Sequence, residues 1–596
     1  MSTWYEDLPE RWEAEQSALR EAKIEFTIDE EAKAQNLLRL QLRITEESKI
    51  PDLPEKYSVL TLIVNFPVEY PFLRPIVTAP DILLPRHQNP TGKNLCLLPR
   101  NTSYWTPGTT LAQHLTEQLS KALIKGEITD PDTIAGDTDE QAEPVSEYFP
   151  SLSSIVFDPQ FYQLKPLEQG KILELGRVKV GIPTGENFPC RMALIEAVDV
   201  KGNLLGKLPD QFNAIFPTTT IGYAYQLSKH PPNMDADKDL QWFHDEIKRA
   251  GIHLPAAKNE IKVKRGLTIT NVIALTFPEE HIPGKEAWGW LFIVSFSGIV
   301  TENIRGKQVP KVIKSSYYIK ANRMNTDELN FRNPSLRSLI DKKIAIIGLG
   351  ALGAPSALEF AKNGIGELRL IDYDIVNAGT IVRWPLGITA IGLKKVDALQ
   401  NTIQTNYPYT QVHTCNFRIG SVDDPNGSKC FDEILNGVSL IYDATAETGI
   451  NQYLANEAER RGVPYISLYA TPGVWGGVVM RVIPNETEGC WLCLQHSMDD
   501  GTMANPATNR DGNIQAAGCG DISFTGTSFE LQNISSAGVR LAIATLCRHE
   551  NSYPNSESDI GILSLVDDEG NPTFAKWSEY KLLKNESCLH CSKNAE

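Results

Sequence analysis

The stretch "KKIAIIGLGALGAPSALEFAKNGIGELRLIDYDIV" constrains the fold more than any other part of this chain. An apolar strand, "IAIIG", runs into Gly348-x-Gly350-x-x-Gly353, which opens a helix, and a second strand, "ELRLI", ends at Asp372. Glycines let the backbone turn tightly and approach a ligand, and the free N–H groups of a helix start favour phosphate. Asp372, 24 residues after Gly348, is placed to bond ribose hydroxyls. Strands and helices alternate from here on, so residues 326–596 are expected to form a parallel, Rossmann-like α/β domain. A packing turn without a ligand is the other reading of the glycines.

The charges that follow decide between nucleotides. A dehydrogenase needs one acid at the strand end, whereas "DYDIVNAGTIVRWPLG" adds Asp374 and Arg383, and "IGLKK" adds Lys394 and Lys395. Cations beside a nucleotide turn suit a triphosphate and a departing pyrophosphate. A further strand, "VSLIYDATAE", brings Asp443 to the carboxyl edge of the sheet, a position for Mg²⁺. Together these residues favour ATP over NAD; taken singly, each is also readable as a solvated surface charge.

This region resembles the E1-type adenylating enzymes, which include ubiquitin-activating enzymes and the adenylyltransferases of thiamine and molybdopterin synthesis. The resemblance implies that Asp372 binds ribose, that Arg383 and Lys395 bind phosphates, and that Asp443 lies beside the metal. Two positions depart from the family: Thr380 stands in place of an Asn and Ala446 in place of a second Asp, with Glu447 adjacent.

Cysteines supply two further constellations. Cys490-x-x-Cys493 and Cys588-x-x-Cys591 offer four thiolates, the closed tetrahedral set of a structural Zn²⁺. Their 94-residue separation requires the C-terminal segment to fold back onto the α/β domain, and the E1-like resemblance includes such a clip. His590 is read as a spacer. Between the pairs, Cys519 lies in a Gly/Thr/Ser-rich crossover, accessible as a nucleophile must be. In thioester-forming activating enzymes a cysteine of this crossover takes the acyl group. Cys547 closes an apolar helical run and is expected to be a packing residue, as are Cys190, Cys415 and Cys430.

The N-terminal 126 residues resemble the ubiquitin-conjugating (E2, UBC) fold. The elements are Phe66, Pro67, Tyr70, Pro71 and Pro75, then His87 and Asn89 of an H-Q-N, Gly92, Cys96, and Trp105 with Pro107. By that resemblance Cys96 carries an acyl group and Asn89 stabilises the oxyanion. Asn89, however, stands seven residues before Cys96, one fewer than the family spacing.

Residues 127–147 hold eight acids and no base and are expected to be a solvated acidic linker. A middle domain, 148–325, shows β-patterned runs between Gly/Pro turns. The expected architecture is therefore an α+β E2-like domain, a mixed α/β middle domain and an α/β E1-like domain with structural zinc. A chain of 596 residues exceeds one core. It has no apolar run near membrane-spanning length, and its first residues lack the pattern of a signal peptide. A cytoplasmic location with reduced thiols is expected. The net charge of −17 argues against nucleic acid as a partner.

The order E2-like, E1-like on one chain resembles the E1–E2 fusion proteins that accompany CD-NTases in bacterial CBASS antiphage systems. That resemblance implies adenylation of a protein C-terminus with ATP, a thioester on Cys519, transfer to Cys96 and ligation to an amine on a target. It further implies a cGAS-like nucleotidyltransferase as the activated partner and a homodimer through the E1-like domain. The alternatives are a sulfur-carrier adenylyltransferase with a non-catalytic E2-like domain, an NAD-dependent oxidoreductase, and a non-enzymatic scaffold.

Overall fold

In a computed structural model, residues 3–97, 105–138, 140–149, 154–185, 191–231, 241–252, 260–263, 267–304, 307–515 and 523–593 are described. The chain divides into two compact units, Met1–Met324 and Asn325–Glu596.

The first unit opens with helix α1 (Pro9–Glu21) and an antiparallel meander of β1 (Glu25–Ile28), β2 (Arg39–Ile44), β3 (Leu60–Asn65) and β4 (Ile76–Thr78). Residues of β2 and β3 alternate between buried and exposed, the period-2 pattern of a sheet with one covered face. The cover is α2 (Leu111–Gly126), started by Thr110, whose side chain accepts from the Gln113 N–H. Its Leu111, Leu115, Leu119 and Leu123 fall on one stripe and bury against Leu40, Leu42, Leu60, Leu62 and Val64. Each such leucine contributes about 1.5–3 kcal/mol by leaving water, and Leu115→Ala would cost about 2–5 kcal/mol.

The acidic segment is not the solvated linker its composition suggested. It forms helix α3 (Pro131–Gly136), capped by Asp130, whose carboxylate accepts from the Thr133 N–H at 2.9 Å. Beyond it Glu140 is buried, and Ser146 donates both its N–H and its hydroxyl to Glu279, at 2.9 and 2.7 Å. Several of its acids meet cations from elsewhere in the unit: Glu127 meets Lys56, Asp137 meets Lys125, Glu140 meets Arg86 and Glu147 meets Lys320.

The expected mixed α/β middle is predominantly β among the described residues. Its strands are β5 (Ser154–Phe157), β6 (Ile172–Ile182), β7 (Arg191–Val198), β8 (Leu204–Lys207), β9 (Thr218–Leu227), β10 (Ile261–Val263), β11 (Leu267–Ile282), β12 (Lys285–Ile304) and β13 (Lys307–Arg323). Pairing runs β11-β12-β13-β5-β7-β6-β9 and returns to β11, which closes the sheet on itself. Along β11, Val272 and Ala274 enter one core while Ile273 and Leu275 enter another, beneath helix α4 (Gln241–Arg249).

The second unit is a sheet in the order β16-β15-β14-β17-β18-β19-β22-β23. Strands β14 (Lys343–Ile347), β15 (Glu367–Ile371), β16 (Gln411–Cys415), β17 (Leu440–Asp443) and β18 (Tyr465–Ala470) are parallel; β19 (Gly476–Val482), β22 (Ile560–Val566) and β23 (Pro572–Tyr580) continue antiparallel. After the exposed Lys343, β14 is apolar because both faces are covered: Ile344 and Ile346 belong to one core, Ala345 and Ile347 to the other. Around it pack α5 (Gly353–Lys362), α6 (Lys395–Asn406), α7 (Pro425–Leu435), α8 (Thr448–Arg461), α9 (Trp491–Asp499) and α10 (Ser528–Leu546). Strand order reverses between β14 and β17, the point at which doubly wound sheets open a crevice for ligand. No helix among the described residues is long and apolar enough to cross a membrane.

Candidate functional site

The glycine turn lies at that switch point. Gly348 takes a left-handed φ of 83°, and a Cβ there would meet the Ala444 carbonyl at 2.8 Å. A Cβ on Gly353 would stand 1.9 Å from the Gly348 carbonyl, so the turn closes only with hydrogen at both positions. Gly350 differs: nothing lies within 4 Å of its would-be Cβ. Two glycines thus shape the turn, and the third leaves open space beside backbone that a phosphate could approach.

Asp372 ties this turn to the end of β15. Its Oδ2 accepts from the Leu349 N–H at 2.7 Å and its Oδ1 from the Asp374 N–H at 2.7 Å. Lys395, at the start of α6, donates to Asp374 Oδ2 at 2.7 Å and lies 3.6 Å from Asp372 Oδ2. Asp372, Asp374 and Lys395 are thus linked to one another and, through the Leu349 N–H, to the turn that holds Gly348, Gly350 and Gly353. Trp384, which sequence reasoning passed over, donates to the Leu349 carbonyl at 2.8 Å.

Arg383 makes its contacts with Phe524. It donates to the Phe524 carbonyl at 2.8 Å and lies over the Phe524 ring at 5.5 Å. Phe524 belongs to β21 (Ser523–Phe524), paired with β20 (Asn513–Ile514). Cys519, the expected nucleophile between these strands, lies outside the described residues, as does Cys190. Lys394 is exposed at the foot of α6.

Asp443, expected at the metal, ends β17 beside Ile347 and is 0% exposed. Its Oδ1 accepts from the Thr445 N–H (3.0 Å) and hydroxyl (2.7 Å), and its Oδ2 from Asn451 (2.7 Å) and the Tyr465 hydroxyl (2.6 Å). Burial raises its pKa above the ordinary carboxylate range although these donors pull it down. A cation held from this position would have to displace protein donors; as placed, Asp443 fixes the β17–α8 turn against Gly348. Glu447 is exposed at the start of α8.

Four cysteines converge beside α9. Cys490 precedes α9, Cys493 lies in its first turn, and the C-terminal segment brings Cys588 and Cys591 alongside. Their sulfurs lie within 4.8 Å of one another, with contacts of 3.5, 3.6 and 3.8 Å. A Zn–S bond of about 2.3 Å sets a tetrahedral edge of roughly 3.8 Å, so the donor set fits such an ion. Burial and neighbouring sulfurs push the Cys591 thiol up to about 11, a cost that a divalent cation would relieve. His590 bonds Glu459 at 2.7 Å and stands outside the cluster. Cys547 and Cys415 are buried packing residues, and Cys430 packs half-buried against the same core as Cys415.

In the first unit, Phe66, Tyr70 and Trp105 form an aromatic cluster with Trp4, and Trp105 donates to the Pro71 carbonyl at 3.0 Å. Asn89 Oδ1 accepts from the N–H groups of Thr91 (2.9 Å) and Gly92 (2.8 Å), so its oxygen caps the turn leading to the cysteine. Cys96 is half-buried, its N–H bonded to the His87 carbonyl at 2.7 Å. The His87 imidazole is in hydrogen-bonding contact with the thiol, and its Nε2 lies 3.0 Å from Glu140. Glu140 was missed because it sits in the stretch whose composition read as linker.

Residues 325–550 match the ThiF family. The protein y4oA of Sinorhizobium fredii is 30% identical over 552 residues, spanning 89% of each chain, and y4qC of the same organism is 29% identical over 87% of this chain and 86% of that one. The molybdopterin-synthase adenylyltransferase of Salmonella typhimurium is 27% identical over 167 residues, 28% of this chain and 64% of that enzyme. The chain belongs to the family of y4oA and carries a ThiF-family, E1-like adenylation domain in its second unit.

Proposed function

We propose that this protein is an ATP-dependent E1–E2 enzyme that joins the C-terminus of one protein to an amine of another. A carboxylate oxygen of the substrate attacks the α-phosphorus of ATP and pyrophosphate leaves. Cys519 Sγ attacks the acyl carbon and AMP leaves; Cys96 Sγ then attacks that thioester and displaces Cys519. An amine nitrogen finally displaces Cys96, giving an amide. Each exchange between thioesters is nearly isoenergetic, so ATP drives the sequence once, at the adenylate.

The observation that carries this reading is a ThiF-family domain on the same chain as Cys96 and its histidine partner. Phosphate would meet the open backbone at Gly350 and the Lys395 ammonium. Arg383 would act from the base of the segment that bears Cys519. Mg²⁺ would neutralise the triphosphate, with the half-buried Asp374 and the exposed Glu447 as acids near the turn. Zn²⁺ would be held by Cys490, Cys493, Cys588 and Cys591 and would clip the C-terminal segment to α9. In the proposed setting, bacterial antiphage defence of the CBASS type, the activated protein is a cGAS-like nucleotidyltransferase and the adenylation domain pairs as a homodimer in the cytoplasm.

Incubation with ATP, Mg²⁺ and a candidate partner bearing an exposed C-terminus tests this on non-reducing gels. Wild type forms thioesters; Cys519→Ala forms none at Cys96; Cys96→Ala stops at Cys519. Loading of Cys96 in the Cys519→Ala variant overturns the order of transfer. The likeness to a molybdopterin-synthase adenylyltransferase favours a second reading, sulfur-carrier adenylation with an idle N-terminal domain. Under that reading Cys96→Ala leaves product formation unchanged.

A further inference from the structure

The surroundings of Cys96 hold more chemistry than an acyl carrier needs. His87 has a left-handed φ of 57°, a conformation that a residue with a Cβ adopts at a cost and that clusters at functional sites. Its side chain is 11% exposed and touches both the thiol and Glu140, whose own side chain is 1% exposed. Glu140 is anchored in turn. Arg86 lies 3.3 Å from it, bonds Glu280 at 2.7 Å and donates to the Gln141 carbonyl. The next residue, Gln141, brings its Nε2 to 4.0 Å from Cys96 Sγ.

We propose that the segment after α3 completes the Cys96 site: Glu140 positions and charges His87, His87 acts as acid and base on the thiol, and the Gln141 amide donates to the acyl oxygen. The proposal rests on Cys96 being an acyl-carrying nucleophile. It adds an oxyanion donor to the one expected of Asn89, whose Oδ1 accepts from the 89–92 turn and leaves donation to its amide nitrogen.

The electrostatics agree. Burial alone would lower the His87 pKa, but contact with Cys96 and the Glu140 carboxylate outweigh it and the net shift is upward. Arg74 is close enough to interact with the Cys96 charge. Glu143 accepts from the His87 N–H at 3.2 Å and from the Gln141 amide at 2.9 Å, while Tyr148 donates to its other oxygen. The facing charges are thus Glu140, Glu143, Arg74 and, behind Glu140, Arg86 and Glu280. An imidazolium beside a thiolate is the form this set favours.

The protons balance over a cycle. Cys96 thiolate attacks the donor acyl carbon, and the His87 proton goes to the leaving sulfur. When an amine attacks the new thioester, neutral His87 takes the amine proton and Cys96 leaves as thiolate, restoring the pair. Gln141 acts at the oxygen that becomes negative in both steps.

The test needs neither ATP nor a partner. In the full chain, iodoacetamide alkylation of Cys96 is followed against pH on its proteolytic peptide. Wild type is expected to show its inflection well below the ~8.5 of a free thiol. Glu140→Gln is expected to raise the inflection by about one unit, so alkylation at acidic pH slows about tenfold; His87→Asn returns Cys96 to the free-thiol range. Gln141→Ala removes no buried charge and is expected to leave the inflection unchanged while slowing acetylation of Cys96 by p-nitrophenyl acetate at least ~10-fold. A wild-type inflection at the free-thiol value, or one that Glu140→Gln does not move, overturns the relay. An unchanged acetylation rate in Gln141→Ala overturns the oxyanion role. If these results hold but ATP yields no thioester, the conjugation reading fails alone.

Discussion

The Asp372 carboxylate and the Leu349 N–H meet at 2.7 Å, so the acid that follows β15 holds the glycine turn in shape. Its other oxygen holds the Asp374 N–H, and through Asp374 it is linked to Lys395. Replacing Asp372 with Ala leaves two backbone donors unsatisfied at a buried position, a loss of about 1–3 kcal/mol for a charged acceptor. We expect ATP–pyrophosphate exchange to fall at least ~10-fold, with a smaller loss in Asp372→Asn, which keeps one acceptor. Exchange at the wild-type rate in Asp372→Ala would show that the turn keeps its shape without this bond.

The three glycines separate folding from binding. Gly353→Ala drives a Cβ to 1.9 Å from backbone and is expected to lower both the melting temperature and ATP binding. Gly350→Ala meets no protein atom within 4 Å, so melting is expected to stay at the wild-type value while ATP affinity, measured by calorimetry, drops. Equal affinity in Gly350→Ala and wild type would remove Gly350 from the phosphate site.

The cysteine cluster predicts one divalent metal per chain, measured by elemental analysis of protein purified without chelator. Cys588→Ser is expected to lose the metal and to lower the melting temperature of the second unit by roughly 5–10 °C, the effect of a loss of about 2–3 kcal/mol. A full complement of metal in Cys588→Ser would place the ion elsewhere.

What was legible in the chain follows from how local each feature is. The glycine turn, Asp372 and the paired CxxC knuckles could be read because their chemistry demands fixed residues at short spacing. The donors around Asp443 could not: Thr445 is two residues on, but Asn451 comes from α8 and Tyr465 from β18, and only tertiary packing brings them together. Closure of the middle sheet depends on pairings such as Lys320 with Ser154, between residues too far apart for any periodicity to reveal. The acidic segment misled for an electrostatic reason. A run of acids is solvated unless cations meet it, and Arg86 and His87, which meet Glu140, lie some 50 residues upstream.

Asp443 gives a prediction whose sign is opposite to that of a salt-bridged acid. Burial raises its folded pKa above the unfolded value, so its contribution to stability is fullest below the ordinary carboxylate range. That contribution declines as pH rises through the raised value. Asp443→Asn removes the charge but turns an amide N–H₂ toward one of two oxygen positions. One side receives Thr445, the other Asn451 and Tyr465, all donors to the present carboxylate. Either orientation sets donor against donor in a buried place, and the variant is expected to be less stable by about 1–3 kcal/mol. Denaturant unfolding of both proteins measures this, and the wild-type advantage is expected to grow as pH falls from neutral toward 5. An advantage that shrinks over that range would mean that Asp443 is held ionised by its donors and that its burial is not what sets its charge.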